Sequence, residues 1–107
     1  MLDELRIYEC VPGRLPALHQ RFRDVTLKMF EKHAITVVGY WEDVIGENNR
    51  LIWMIRWESM ADRERKWDGF STDPEWMAAR AKTEESGPIV ARIRNTLMRP
   101  TNYSPTP

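Results

Sequence analysis

The chain has 107 residues, which is the length of one small domain. Its 16 basic and 16 acidic side chains cancel, so no long-range field favours nucleic acid as a partner. The single cysteine, Cys10, excludes an internal disulfide and offers no metal-site spacing, and no apolar run approaches the ~20 residues of a membrane span.

The first two predicted elements are a strand and a long helix. In the stretch 3–10, Leu5 and Ile7 alternate with polar residues, a period of two that is typical of a strand. From 14 to 33 the apolar residues recur every three or four positions, which predicts a helix with one face turned to the core. These residues are Leu15, Leu18, Phe22, Val25 and Met29. The polar residues between them, including Arg21, are predicted to face solvent.

A β-hairpin is predicted in the middle of the chain. Residues 36–44 are rich in β-branched and aromatic side chains, and the turn cluster 46–49 leads into a second strand from Arg50 to Trp57. That second strand has apolar residues at both its odd- and its even-numbered positions, which is typical of a strand buried on both faces. The helices of the same chain can cover only one of these faces, so the other needs a cover from outside the chain.

Two short helices and a last strand complete the chain. Ser59, followed by an acid three residues later, has the spacing of a capping box at the start of the first helix. Asp73 before Pro74 is typical of the start of the second helix, which is predicted to run to about residue 85. Residues 89–98 alternate like a strand, and the proline-containing tail 100–107 is predicted to be extended.

The predicted elements form one domain that spans residues 1–107. Their order is strand, helix, strand, strand, helix pair, strand, and two β–α–β crossings around a central hairpin give an α+β, ferredoxin-like βαββαβ fold with an antiparallel sheet. The helices of this fold cover one sheet face. The other face is too apolar to be left in water, and pairing with the sheet of a second copy would bury it. We therefore expect a homodimer.

Short motifs along nearly the whole chain resemble the NIPSNAP family. They are Glu4-Leu5-Arg6-Ile7-Tyr8, Pro12-Gly13-Arg14-Leu15, Gly39-Tyr40-Trp41, Trp57-Glu58-Ser59, Asp73-Pro74-Glu75-Trp76 and Leu97-Met98-Arg99-Pro100-Thr101. The resemblance implies a dimeric α+β barrel, in which the sheets of two ferredoxin-like subunits close around a shared interior. The wider superfamily includes cofactor-independent monooxygenases, isomerases, haem-degrading enzymes and ligand-sensing domains. The chain departs from the family pattern at Trp53, where several members have histidine.

Aromatic and arginine side chains on the predicted strands are the candidates for a ligand pocket. They are Arg6, Tyr8, Tyr40, Trp41, Trp53, Arg56 and Trp57. Packing in the core and at a dimer interface is the alternative explanation of the aromatic residues, and Glu42 and Asp43 are alternative partners for the arginines. Because the sequence contains no nucleophile, nucleotide-binding or zinc motif, we expect neither a metal nor a cofactor.

Three functions remain open at this point. The first is a homodimeric barrel that binds a small apolar or carboxylated molecule. The second is a cofactor-independent monooxygenase or isomerase acting on an aromatic small molecule, with a tyrosine, Glu42, Asp43 or His33 as base. The third is an interaction module whose barrel is packed solid. The sequence does not decide whether the chain is an enzyme. Its start lacks the apolar stretch of a signal peptide, so we expect a cytoplasmic protein that binds neither nucleic acid nor membrane.

Overall fold

The secondary structure follows the predicted order in a computed structural model that describes residues 1–105. The elements are β1 (Leu2–Cys10), α1 (Leu15–Arg21), a π-helical segment (Phe22–Thr26), α2 (Leu27–Lys32), β2 (Thr36–Trp41), β3 (Arg50–Trp57), α3 (Met60–Ser71), α4 (Pro74–Thr83) and β4 (Val90–Met98). The four strands form one antiparallel sheet in the order β2-β3-β1-β4. The predicted α+β, ferredoxin-like βαββαβ fold is confirmed.

The sheet buries one face beneath the helices. Along β1 and β3 the exposed fraction alternates from residue to residue, and Arg6 lies opposite Trp53 in the register between the two strands. Trp53 and Ile55 are completely buried on this face, and Tyr8 lies beside them opposite Leu51. The core therefore lies between the sheet and the helices, and the even-numbered residues of β1 point into it.

The opposite face of the sheet is apolar at its centre, and none of the helices in residues 1–105 lies over it. Its central side chains are Leu5, Ile7, Ile52 and Met54, all half-buried. Trp41 of β2 pairs with Ile52 on this face and is 47% exposed. A Cβ atom at Gly39 would lie 2.9 Å from the Trp41 ring, so this position needs a residue without a side chain. We call this surface the open face.

The long helix differs from the prediction in two respects. It is continuous from α1 to α2, but its middle is π-helical, a local geometry that often marks functional sites. Arg21 was predicted to face solvent, and this prediction is wrong because its side chain is only 5% exposed. Arg21 follows Leu18 by three positions, which places both residues on the same face of the helix.

The predicted caps of the two later helices are confirmed. The hydroxyl of Ser59 accepts a hydrogen bond from the backbone N–H of Asp62 at 3.1 Å. The carboxylate of Asp73 accepts one from the backbone N–H of Glu75 at 2.9 Å, with Pro74 at the first helical position. These caps satisfy backbone donors that a helix leaves free at its start.

Two segment ends differ from the sequence prediction. β2 ends at Trp41 rather than at Val44, because the chain turns so that the carboxylate of Asp43 accepts hydrogen bonds from the Arg50 guanidinium. In the tail, the backbone N–H of Ser104 donates to the carbonyl of Thr101, so residues 101–104 form a turn. Residues 106–107 of the predicted extended tail lie outside the described residues.

Candidate functional site

A cavity of about 430 Å³ lies between the helix-covered sheet face and the helices. This volume is within the range of small-molecule sites, roughly 300–1,000 Å³. Its wall is aromatic and basic, and it contains Arg6, Tyr8, Arg21, Phe22, Thr26, Phe30, Trp53, Trp67, Phe70, Ser71, Trp76, Arg80, Glu84 and the β4 residues 90–93. Seven of these side chains are aromatic rings, so the cavity favours a flat, apolar ligand.

Arg6 projects from β1 into this wall and is 7% exposed. Its guanidinium donates to Glu4 at 2.8 Å and, at 3.3 Å, to the hydroxyl of Tyr8. The Nε atom of Arg6 finds no hydrogen-bond partner within residues 1–105. The guanidinium carbon lies 4.4 Å from the centre of the Trp67 ring, a distance typical of a cation–π contact.

Glu4 holds the Arg6 guanidinium in place through an ion pair, and its own side chain is completely buried. Its carboxylate accepts hydrogen bonds from Arg6, from the indole N–H of Trp57 at 3.0 Å, from Arg63 at 2.7 Å and from Asn95 at 3.0 Å. Burial by itself raises the pKa of Glu4, but the hydrogen bonds from Arg63, Asn95 and Trp57 and the charge of Arg6 lower this pKa to about 2. Glu4 is therefore ionised at neutral pH.

Arg21 reaches the cavity from the end of α1. Its guanidinium lies 3.4 Å from the carboxylate of Glu84 and 5.7 Å from the centre of the Trp76 ring. Burial lowers the pKa of Arg21, against the opposing effect of Glu84. Like Arg6, Arg21 has an Nε atom with no hydrogen-bond partner in the described part of the chain. A buried guanidinium with a free donor is costly unless an acceptor completes it.

Trp53 lies at the centre of the aromatic cluster. Its ring stacks on Phe30 with 5.3 Å between centroids and meets Tyr8 edge-on at 5.5 Å. It also stacks on Tyr40 at 5.9 Å. Its indole N–H has no hydrogen-bond partner among residues 1–105. Trp53 is thus a packed ring with an unsatisfied donor in the described part of the chain.

The seven candidate pocket residues lie in different places. Arg6, Tyr8 and Trp53 line the 430 Å³ cavity together. Tyr40 and Trp41 line a second cavity of about 210 Å³ beside the long helix, next to the hydrogen-bonded pair His19 and Glu42. Burial raises the pKa of Tyr40 to about 12.

Arg56 and Trp57 line neither cavity. Arg56 lies on the open face, where it forms an ion pair with Asp3 at 2.8 Å. Trp57 lies beneath the helices and donates to Glu4. The sequence places Arg6 and Arg56 both on strands, and only the register shows that they lie on opposite faces of the sheet.

Sequence reasoning missed the helical half of the site. Arg21, Trp67, Arg80 and Glu84 were not among the candidates, and Trp76 was expected mainly to anchor the core. The spacing of Arg21 from Leu18 could have shown that its side chain is buried. The other four could not be found in this way, because no pattern in the sequence fixes how α3 and α4 lie over the sheet.

The residues named in advance as possible bases lie away from the cavity. Glu42 contacts His19, Asp43 pairs with Arg50, and the imidazole of His33 lies 2.7 Å from the carboxylate of Asp73. The only carboxylate that lines the cavity within the described residues is Glu84, which is ion-paired. No group of three His, Cys, Asp or Glu side chains in residues 1–105 could hold a metal ion.

Comparison with known proteins identifies the family. The sequence profile of the NIPSNAP family matches residues 3–105. The chain belongs to the NIPSNAP family. A NIPSNAP protein of unknown function from Agrobacterium tumefaciens is 26% identical, with 98% of this chain and 92% of that chain covered and a TM-score of 0.85. No curated protein gives a significant match.

More distant structures share the fold of this NIPSNAP chain. A mutant of MhuD with two manganese protoporphyrin IX molecules per active site is 20% identical, with 92% of this chain and 93% of that chain covered and a TM-score of 0.65. A candidate antibiotic biosynthesis monooxygenase from Nitrosomonas europaea is 6% identical, with 94% of this chain and 98% of that chain covered and a TM-score of 0.64. At these identities the comparison concerns the fold alone. Within residues 1–105, no helix is long and apolar enough to cross a membrane.

Proposed function

We propose that this NIPSNAP protein binds a small aromatic carboxylate in the 430 Å³ cavity. The observation that carries the proposal is the presence of two arginines in one aromatic wall, Arg6 and Arg21, both more than nine-tenths buried and both with a free Nε donor. A carboxylate supplies the acceptors that such donors lack, and charge-assisted hydrogen bonds are the strong ones in a protected site. The rings around them suit a flat ligand body.

The proposed site lies within one chain. The family resemblance led us to expect a ligand in the interior shared by two sheets, whereas the cavity lies on the helix-covered face. Its arginines come from β1 and α1, and its aromatic cover includes Trp67 of α3 and Trp76 of α4. A second copy on the open face would leave this site intact.

Binding is favoured over turnover by the groups that line the cavity. An oxygenase or isomerase needs a group that takes a proton from the substrate. In the described lining, the carboxylate of Glu84 is 3.4 Å from Arg21 and 3.8 Å from Arg80, and the hydroxyl of Tyr8 accepts a hydrogen bond from Arg6. The similarity to monooxygenases is a similarity of fold. Within the described lining, the cavity contains no free base that would support the same chemistry.

We also propose that the protein works as a homodimer through its open face. The centre of that face is formed by Leu5, Ile7, Ile52 and Met54, and Trp41 extends it toward β2. An apolar sheet face of this kind is normally covered in solution. The ion pair between Asp3 and Arg56 lies beside the apolar centre and balances charge at that position.

Calorimetric titration with a matched pair of ligands tests the binding proposal. Naphthoate carries a carboxylate on a flat ring system, and naphthamide has almost the same shape without the charge. We expect naphthoate to bind about tenfold or more tightly, because each hydrogen bond to a charged group contributes roughly 1.5–3 kcal/mol. The double variant Arg6→Gln/Arg21→Gln should remove this preference, and Arg99→Gln, at an exposed position, serves as the control. Equal affinity for the two compounds, or no binding by either, would contradict the proposal.

A further inference from the structure

We infer that the natural ligand carries two acidic groups on an aromatic frame, one held at Arg6 and the other at Arg21. This inference rests on the proposed function and specifies its ligand class. It follows from the position of the two arginines, because both line the one cavity, both are more than nine-tenths buried, and the Nε atom of each has no hydrogen-bond partner within residues 1–105.

The cluster at Arg6 shares one buried carboxylate between two guanidinium groups. Glu4 is this carboxylate, and both Arg6 and Arg63 form ion pairs with it, at 2.8 Å and 2.7 Å. Arg63 also interacts with the carboxylates of Asp68 and Glu64. Arg6 is the member of the cluster that lines the cavity, and within residues 1–105 its ion-pair partner is the shared Glu4 alone.

The cluster at Arg21 also contains one carboxylate and two guanidinium groups, of which Arg21 is buried and Arg80 is 58% exposed. Glu84 is its carboxylate, and it lies 3.4 Å from Arg21 and 3.8 Å from Arg80. Both distances are long for ion pairs, so Arg21 is weakly compensated although its side chain is only 5% exposed. Thr83 offers only a neutral hydroxyl, at 3.5 Å.

The two clusters border one cavity, and Tyr8 lies in its wall beside Arg6. The hydroxyl of Tyr8 accepts a hydrogen bond from Arg6. Arg80 and Arg92 are the other two basic residues of the wall, but their side chains are 58% and 64% exposed and solvent screens their charges. Two buried positive charges without full partners destabilise each other and the folded state. A ligand with one acidic group would neutralise one of them, and a ligand with two would neutralise both.

Isomeric phthalates and toluates provide matched probes. Phthalate, isophthalate and terephthalate each carry two carboxylates on one ring, and in ortho-, meta- and para-toluate a methyl group replaces the second carboxylate. We expect at least one phthalate isomer to bind about tenfold or more tightly than its toluate, measured by calorimetry on the full chain. The preferred isomer would report the separation of the two arginines.

Variants then assign each acidic group to its arginine. Arg6→Gln and Arg21→Gln should each lower the affinity for the preferred phthalate to that of the matching toluate, and Arg99→Gln should leave it unchanged. Arg6→Lys keeps the charge and serves as a second variant if the loss of Arg6 prevents folding, and it should retain part of the phthalate preference. The comparison on the wild-type chain needs no variant at all.

The outcomes separate this inference from the proposed function. A tenfold preference that either arginine variant removes supports both. Equal binding of phthalates and toluates overturns the inference and leaves the binding of aromatic carboxylates standing. If neither the phthalates nor the toluates bind, and naphthoate does not bind either, both the proposed function and this inference are overturned.

Discussion

The guanidinium carbon of Arg6 on β1 lies 4.4 Å from the centre of the Trp67 ring on α3. This contact joins the sheet to the helical layer at the wall of the cavity. It places the charged group over an aromatic surface, beside which a planar ligand would stack. The geometry of the proposed ligand site therefore depends on a residue of α3 as much as on the strand.

Replacing Trp67 by leucine should weaken ligand binding. A cation–π contact contributes about 0.5–2 kcal/mol, so we expect roughly a 2- to 30-fold loss of affinity for naphthoate. Trp67→Phe keeps an aromatic face over Arg6 and should retain most of the affinity. Calorimetric titration of the two variants checks this, and an unchanged affinity in Trp67→Leu would show that the stacking surface is not used.

Trp53 and Trp57 should be the most costly aromatic residues to truncate. They are 0% and 1% exposed, and replacing such a ring by alanine typically costs 3–5 kcal/mol, so we expect about that loss of unfolding free energy for each. Chemical denaturation followed by tryptophan fluorescence and circular dichroism measures it. Tyr103→Ala, at a residue that is 84% exposed, should change the free energy by less than ~0.5 kcal/mol. If either tryptophan variant unfolds at the same denaturant concentration as the parent protein, the burial of these β3 side chains is contradicted.

Glu4 should make the fold sensitive to acid. Burial by itself raises the pKa of Glu4, but its hydrogen bonds and ion pairs lower this pKa to about 2 from 4.5. Because the folded value lies below the unfolded one, the stabilisation is fully present above about pH 4.5 and is lost as the pH falls toward 2. The shift corresponds to roughly 3 kcal/mol.

The Glu4→Gln variant isolates this contribution. It should be less stable than the parent at pH 7, and the difference between the two proteins should shrink between pH 4.5 and 2. Urea denaturation at several pH values measures both curves. If the difference stays constant across that interval, Glu4 does not titrate as the structure predicts.

An acid at the centre of the open face should dissociate the proposed dimer. Ile52 is half-buried there and lies beside Ile7, so Ile52→Glu places a charge where two sheets would meet. Sedimentation velocity at micromolar concentration should show a dimer for the parent and a monomer for the variant. Met77→Glu, at a residue of α4 that is 57% exposed, is the matched control and should stay dimeric. A monomeric parent would contradict the dimer proposal.

The strands were predictable because their patterns are local. The run from Arg50 to Trp57 is apolar at both parities, and β3 has these same limits. Asp73 and Pro74 together mark a helix start, which the observed cap confirms. In each case, neighbouring residues determine the outcome, so the sequence alone suffices.

The helical half of the site was not predictable, since it depends on tertiary packing. The apolar spacing around Phe22 fits an α-helix and a helix with a π-helical turn equally well, so the segment Phe22–Thr26 was missed. Arg21 has the composition of a solvent-facing residue and lies instead beside Glu84, 63 positions later in the chain. Only the docking of α4 against the long helix brings these two side chains together.

A crystal structure of the protein with bound naphthoate is the decisive test of the ligand site. We expect the naphthalene rings between Trp67 and Trp76, with the carboxylate within hydrogen-bond distance of Arg6 or Arg21. Density for the ligand on the open face, or an aromatic cavity that stays closed to the ligand at saturating concentration, would contradict it.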